Sequence, residues 1–290
     1  MSRSITSAPT ELGALEATAD QLRRDVLGTC CNADSGRVGS SLSCVDILTA
    51  LYFGGVLRYD PANPNWADRD RFVLSKGHAG PALYCALSRA GFFPADWLTR
   101  LSQDNGPFGS LTQHGVPGVE ATAGSLGIGF GIAAGMALAA RLQRENWLTW
   151  VLLGDAECYE GSVWEVAAVA AHQRLNNLVA IVDRNCMGAT DWTENACALE
   201  PFADKWEAFG WNVEEAAGHD MEELLSAFTD MDTRFCDRPT VFICHTVKGF
   251  GVDFLTNAPL QHARIPKGDQ ELDARRQLGF PEPMQEGGGQ

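Results

Sequence analysis

The chain has 290 residues, with 22 Lys plus Arg against 37 Asp plus Glu and a formal charge of −15. A field this acidic, without any run of Lys or Arg, repels a phosphate backbone and excludes nucleic acid as the main partner. The most apolar stretch, Leu126 to Ala140, is closed by Arg141; at about 1.5 Å per residue it cannot cross a hydrocarbon layer of roughly 30 Å, so it reads as a buried helix.

Hydrophobic residues make up 45% and charged residues 20%, which is the composition of a globular chain able to bury a core. Residues 1–14 and 282–290 are small, polar or Gly-rich and are expected to be flexible tails around one domain spanning 15–281. The nine cysteines are odd in number and contain no C-x-x-C, which argues against a disulfide framework or a thiolate zinc site. With no apolar segment after Arg3 to mark secretion, the chain is expected in the cytoplasm.

In chain order, apolar positions at helical spacing run from Leu15 through Leu22 to Val26 and Leu27, and again from Val45 to Tyr52. The spacing predicts two helices separated by a polar loop, Asn32 to Ser41. A further helix is expected after Gly80-Pro81, and a longer one from about Ser125 to Arg144. That helix contains Gly127, Gly129, Gly131 and Gly135. Each Gly costs about 1 kcal/mol against Ala, so something is expected to pack close to its backbone.

The centre reads as strand, helix, strand: Leu148 to Leu153, Gly161 to His172, and Leu178 to Asp183. A helix around Asp220 to Asp230 and a third strand, Thr240 to His245, follow. Continuous apolar strands joined by helical crossovers imply a mainly parallel sheet buried on both faces, a doubly wound α/β fold. Ligands in such sheets sit beyond the carboxyl ends of the strands. Those ends carry Gly154-Asp155, Asp183-Arg184-Asn185 and His245-Thr246-Val247-Lys248-Gly249.

Asp155 and Asn185 would bring a carboxylate and an amide oxygen to one sheet edge, and the Met187 carbonyl could add a third ligand. Hard oxygen ligands suit Mg²⁺ or Ca²⁺, and a dication held by so few side chains completes its shell with phosphate oxygens and water. Gly124-Ser125-Leu126-Gly127 opens the Gly-rich helix, whose N-terminus would favour a diphosphate. Taken singly, a G-D or D-x-N is as readily a helix cap and a turn; together these residues predict a metal-diphosphate site.

The chain resembles the transketolases, a family of thiamine-diphosphate enzymes. Gly154-Asp155-Ala156-Glu157 through Asn185 is similar to the family's metal motif, with Ala156 in place of its second Gly. Asp70 to Ala79 (DRFVLSKGHA), Pro117 to Gly127 (PGVEATAGSLG), Glu160 to Glu165, Leu199 to Trp211 and Thr246 to Gly251 are similar to it in the same order, so the likeness covers about residues 15–270.

The resemblance implies that Asp155, Asn185 and the Met187 carbonyl hold the metal. It implies that Gly154, Gly124, Ser125, Leu126, His78 and His262 line thiamine diphosphate, with Ala156, Glu157, Glu160 and Lys248 completing the contacting set. Glu160 is similar to an acidic residue at the family's dimer interface. His78 and His262 would also face the donor substrate, and with Arg37 and His114 make up the expected catalytic group. The cofactor adds through its thiazolium carbon to a ketone and stores the electrons of the broken C–C bond.

In the family that carbon is activated by a Glu from a pyrimidine-binding domain, and the likeness leads us to expect that domain on a separate subunit. The resemblance therefore implies the N-terminal subunit of a split transketolase, inactive alone and paired with a C-terminal subunit in an α2β2 heterotetramer. A non-catalytic regulatory chain would be expected to have lost its metal ligands, yet Asp155, Asn185, Glu160 and His78 are all present.

Three stretches depart from the family pattern. Its S-G-H-P-G reads Ser35-Gly36-Arg37-Val38-Gly39; the stretch before Pro117 is compressed to Gln113-His114-Gly115-Val116; and Cys186 to Trp192 differs after the metal-binding Asn. Arg cannot act as a base, but it binds carboxylate, phosphate or sulfonate in a bidentate way. These departures lie where a donor would be read. They predict either an unusual ketose, its phosphate or its sulfonate analogue, or a 2-oxo acid such as pyruvate used in acyloin-forming or acyl-transfer chemistry.

Overall fold

The computed structural model describes residues 11–229, 231 and 237–280. Five strands form one sheet, all parallel, in the order β1 (Arg71–Leu74), β2 (Thr149–Gly154), β3 (Leu178–Arg184), β5 (Thr240–His245), β4 (Asn212–Ala217). The doubly wound α/β expectation holds. The period of two along each strand divides the sheet's side chains between two cores.

On one face Phe72, Leu74, Trp150, Leu152, Ile181 and Phe242 pack under α1 (Leu12–Ala33), α2 (Val38–Leu42), α3 (Val45–Phe53), α4 (Gly80–Arg89) and α9 (Met221–Phe228). On the other, Val73, Val151, Leu153, Ala180, Val182 and Ile243 pack under α5 (Ile128–Gln143), α6 (Gly161–His172) and α8 (Phe202–Ala208). Two further short helices lie among the described residues, α7 (Thr193–Ala196) and α10 (Asp269–Gln277).

Several boundaries differ from those expected. The first helix starts at Leu12 and runs on to Ala33, where Asp34 adopts a left-handed conformation (φ 45°) and closes it. The expected loop from Asn32 to Ser41 therefore shrinks, because Val38 and Leu42, four residues apart and fully buried, fold into α2. Residues 1–10 and 281–290, which hold most of the expected tails and the end of the expected domain, lie outside the described residues, as do Asp230 and Cys236. The other eight cysteines are free thiols.

Two strands were not expected: β1 is only four residues long, and β4 is an edge strand with a mixed, half-exposed pattern. Helix α4 carries Pro81 in its first turn, where the missing N–H costs nothing. Asp220 caps α9 by accepting the Glu223 N–H at 3.0 Å.

The Gly-rich helix begins at Ile128, later than expected, because Gly127 sits in a left-handed conformation (φ 81°) as its N-cap. The close-packing expectation holds at its start. A Cβ on Gly129 would lie 2.7 Å from the Ser75 Cα, at the end of β1. Gly131 has ordinary contact room and Gly135 faces open space, so close packing does not explain those two.

Candidate active site

Strand register assembles the site. Gly154 pairs with Asp183, and Asp183 with Cys244, so Asp155, Arg184-Asn185 and the Thr246–Lys248 segment leave the sheet at one edge. Asp155 is buried; its Oδ1 accepts the Ala156 N–H at 2.7 Å and its Oδ2 the Cys186 N–H at 2.6 Å. That second bond joins the loop after β2 to the loop after β3. Asn185, also buried, accepts the Met187 N–H through Oδ1 at 3.1 Å. Met187 bridges to Trp192 in a tight turn, and Cys186 enters it at φ 61°.

Burial, then the neighbouring Asp183 carboxylate, pushes the Asp155 carboxyl up to about 6. A buried carboxylate carrying that cost suits a site where a cation arrives. Lys248 reaches the same place, its Nζ donating to the Gly188 carbonyl at 2.6 Å and lying 3.5 Å from the Met187 carbonyl. Burial, then Lys76, lowers the Lys248 ammonium to about 8. The donor set of Asp155, Asn185 Oδ1 and the Met187 carbonyl is all oxygen and fits a small hard dication.

Beneath this edge lies a buried polar knot. Lys76, following β1, bonds Asp183, the Ser40 carbonyl at 3.0 Å and Ser43 Oγ at 3.4 Å. Asp183 also accepts from Ser43 Oγ at 2.6 Å and from Thr246 Oγ1. Burial alone would raise its pKa, but the Lys76 ammonium and these hydrogen bonds outweigh burial and lower it. The knot fixes the ends of β1, β3 and β5 and the start of the α2–α3 region relative to one another.

The two expected histidines come together. The His78 and His262 rings are 5.4 Å apart at 54°, and His262 Nδ1 lies 3.5 Å from Ser40 Oγ. Burial holds His78 well below the usual imidazole range, with Lys76 adding to it. His262 is lowered to about 4 by burial, then by Lys248, Arg37 and Lys76. Both rings are thus neutral among cations at neutral pH. Arg37, the N-cap residue of α2, donates to the Gly36 carbonyl at 3.2 Å and leaves a buried Nε without a partner.

Other expected site residues fall elsewhere. Glu157 does not face outward to a cofactor: Oε1 accepts the Ser75 hydroxyl at 2.5 Å and the Gly127 N–H at 2.8 Å, and Oε2 the Gly154 N–H at 3.0 Å. It clamps β1, β2 and the start of α5 together, a buried tether rather than a contact residue. Ala156 serves through its N–H on Asp155, Gly154 closes β2, and Leu126 is half-buried. Gly124 and Ser125 are exposed ahead of α5, and Glu160 is exposed at the head of α6.

His114 is exposed and tied back onto its own loop, with Nδ1 3.1 Å from the Glu120 carbonyl and its N–H on Thr122 Oγ1 at 2.9 Å. That loop stays beside His78's turn through the Thr112 N–H on the Gly77 carbonyl. The sequence places Asp183, Arg184 and Thr246 at the carboxyl edge and Lys76 in a family-like stretch without assigning any of them a role, and Ser40 and Ser43 carry no signal in it. Lys76 and Asp183 carried a signal, since a charged residue ending an apolar strand needs a partner when buried.

A parallel sheet with a dication-type oxygen set, neutral histidines and a capped Gly-rich helix at its carboxyl edge defines a diphosphate-cofactor fold. The chain belongs to the transketolase family: the family profile described as "Transketolase, thiamine diphosphate binding domain" matches residues 15–286. It is 38% identical over 272 residues to one of the subunits of the apulose-4-phosphate transketolase of Phocaeicola vulgatus, covering 92% of this chain and 95% of that one. It is 41% identical over 244 residues to the 6-deoxy-6-sulfo-D-fructose transketolase subunit SqwG of a Clostridium species, covering 83% and 87%.

Among solved structures, the transketolase of Campylobacter jejuni superposes with a TM-score of 0.87 at 28% identity, over 93% of this chain and 43% of that one. The chain thus spans less than half the length of that transketolase. No described helix is long and apolar enough to cross a membrane.

Proposed function

We propose that the chain is the N-terminal subunit of a split transketolase that binds the Mg-diphosphate part of thiamine diphosphate. With a C-terminal partner it transfers a two-carbon ketol unit from a ketose donor to an aldehyde acceptor. The observation that carries this is the Asp155 Oδ2 bond to the Cys186 N–H, which brings both ligand-bearing loops to one point at the sheet edge. The names of its relatives, which are single subunits of transketolases for apulose 4-phosphate and for 6-deoxy-6-sulfo-D-fructose, support the same reading.

In this reading Asp155, Asn185 Oδ1 and the Met187 carbonyl hold Mg²⁺ or Ca²⁺, and Gly124, Ser125, Leu126, Gly154 and Lys248 surround the diphosphate. Lys248, whose ammonium lies at the Met187 and Gly188 carbonyls, would donate to the diphosphate oxygens. The bound cofactor supplies the electron sink for C–C bond cleavage. His78 and His262, neutral and side by side, hydrogen-bond donor hydroxyls and accept or return their protons. Glu160, exposed beside the cofactor turn, meets the partner, which supplies the pyrimidine-binding domain and the activating Glu in an α2β2 assembly within the cytoplasm. Residues 15–281 form the one domain.

Arg37 sets the donor. Its half-buried guanidinium lies close enough to His262 to depress it, beside the two histidines proposed to face the donor. That same observation favours a second reading, acyl transfer from a 2-oxo acid whose carboxylate meets Arg37. The test is donor consumption by the complex, co-expressed with its partner and given thiamine diphosphate and Mg²⁺, comparing a ketose phosphate with pyruvate plus an aldehyde. Ketose cleavage establishes the first reading; acyloin formation from pyruvate replaces it with the second. Replacing Arg37 by His moves preference toward ordinary ketose phosphates, and unchanged preference refutes the role given to Arg37.

A further inference from the structure

Arg184, the last residue of β3, stands between the two proposed metal ligands in sequence order and is buried. Its Nη1 donates to Asp155 Oδ2 at 3.3 Å and to Thr193 Oγ1 at 2.8 Å. Its Nη2 donates to Glu194 Oε1 at 2.9 Å and Glu200 Oε1 at 2.8 Å, and the guanidinium lies 5.4 Å over the Phe202 ring. The two glutamates continue the tether outward. Glu194 accepts the Leu199 and Glu200 N–H groups at 3.1 and 3.3 Å, and Glu200 accepts the Phe202 N–H at 2.8 Å.

A permanent cation therefore sits on the carboxylate that should receive a dication. Alone it would compete for Asp155 and repel the incoming charge. Two carboxylates on its far side balance it, and both are largely open to solvent, with side-chain exposures of 39% and 58%.

We infer that Arg184 is a positioning residue for the metal carboxylate, and that Glu194 and Glu200 set the site's affinity for a divalent cation by neutralising Arg184 and drawing it off Asp155. The inference rests on the cation-site reading above. Arg184 aims the free face of Asp155 toward Asn185 and the Met187 carbonyl while mooring residues 193–202, the continuation of the loop that carries those ligands. With a dication on Asp155, Arg184 would stay paired with Glu194 and Glu200, whose carboxylates balance its charge.

The test is Mn²⁺ binding by the complex of the chain co-expressed with its C-terminal partner, in the presence of thiamine diphosphate, read from the free-ion electron paramagnetic resonance signal, with thermal unfolding as a control on folding. Glu194→Gln with Glu200→Gln leaves Arg184 uncompensated and weakens Mn²⁺ binding on the order of tenfold. Glu194→Asp with Glu200→Asp, which keeps both charges, retains most of the affinity. A purely structural role would make both pairs lose stability without this charge-dependent difference in affinity. Equal Mn²⁺ affinity in the wild type and the Gln pair overturns the inference while the site reading stands. Failure of the wild type itself to bind Mn²⁺ overturns both.

Discussion

Two regions of the same sheet edge contrast. Where β2 and β3 end, Asp155, Asn185 and Met187 make up the proposed cation site, and buried bonds to Cys186, Lys76 and Thr246 hold that region together. In the loops that would meet a donor, Arg37 stands in place of the family's His and His114 turns back on its own loop. The cofactor's demands on geometry are the same for every donor. The donor's are not, and the departures from the family pattern fall in the loops proposed to read the substrate.

The contrast is broken most severely at the metal carboxylate. Asp155→Ala removes the only carboxylate ligand proposed for the dication, and Mg²⁺-dependent binding of thiamine diphosphate falls on the order of 100-fold or more by calorimetry. Retained binding would transfer the cation site elsewhere. Thermal unfolding of the same variant separates loss of the ligand from loss of the Asp155 bonds to the Cys186 N–H and Arg184.

Next comes the knot under the edge. Lys76→Met leaves Asp183 buried with only hydroxyl partners, and breaking such a pair costs about 3–5 kcal/mol. Denaturant unfolding measures it. Adding Asp183→Asn to Lys76→Met recovers part of the loss, since the stranded charge is gone. A smaller effect is expected at Gly129, where a Cβ meets the Ser75 backbone at 2.7 Å. Gly129→Ala destabilises by about 1–3 kcal/mol, whereas Gly135→Ala, facing open space, is neutral or slightly stabilising from helix propensity. Equal effects at the two positions would remove the close approach of α5 to β1 as the reason for Gly129.

Legibility in the sequence follows the same division. β2, β3 and β5 were readable because they are buried on both faces and so are continuous apolar runs. β4 was not, because an edge strand paired only to β5 reads Asn-Val-Glu-Glu-Ala-Ala and keeps its charges in solvent. β1 hid inside a motif and is too short to show a period. Among site residues, Asp155, Asn185 and His78 announced themselves by motif. The partnership of Lys76 with Asp183 did not, because it joins segments far apart in the chain, and that of Arg184 did not, because nothing in the loop from Thr193 to Glu200 shows that it folds back onto the end of β3.

The smallest expected effect is one of pH, and its sign separates the two regions. The unfolded chain protonates His262 near its ordinary 6.5, whereas the folded chain does so only near 4, so between these values the unfolded state binds more protons and stability falls as the pH drops. Asp155 acts oppositely. With its carboxyl pushed up to about 6 from the usual 3.8, the folded chain holds a proton the unfolded chain has released, and stability rises as the pH falls through that window. The two partly cancel in the wild type, so the informative quantity is a difference. His262→Gln removes the first effect alone. Its melting temperature should therefore decline less than that of the wild type between about pH 7 and about pH 4, by a few degrees in a domain of this size. Parallel curves would mean that His262 is as easily protonated in the folded chain as in water, and that the cations around it leave it free to act as an acid.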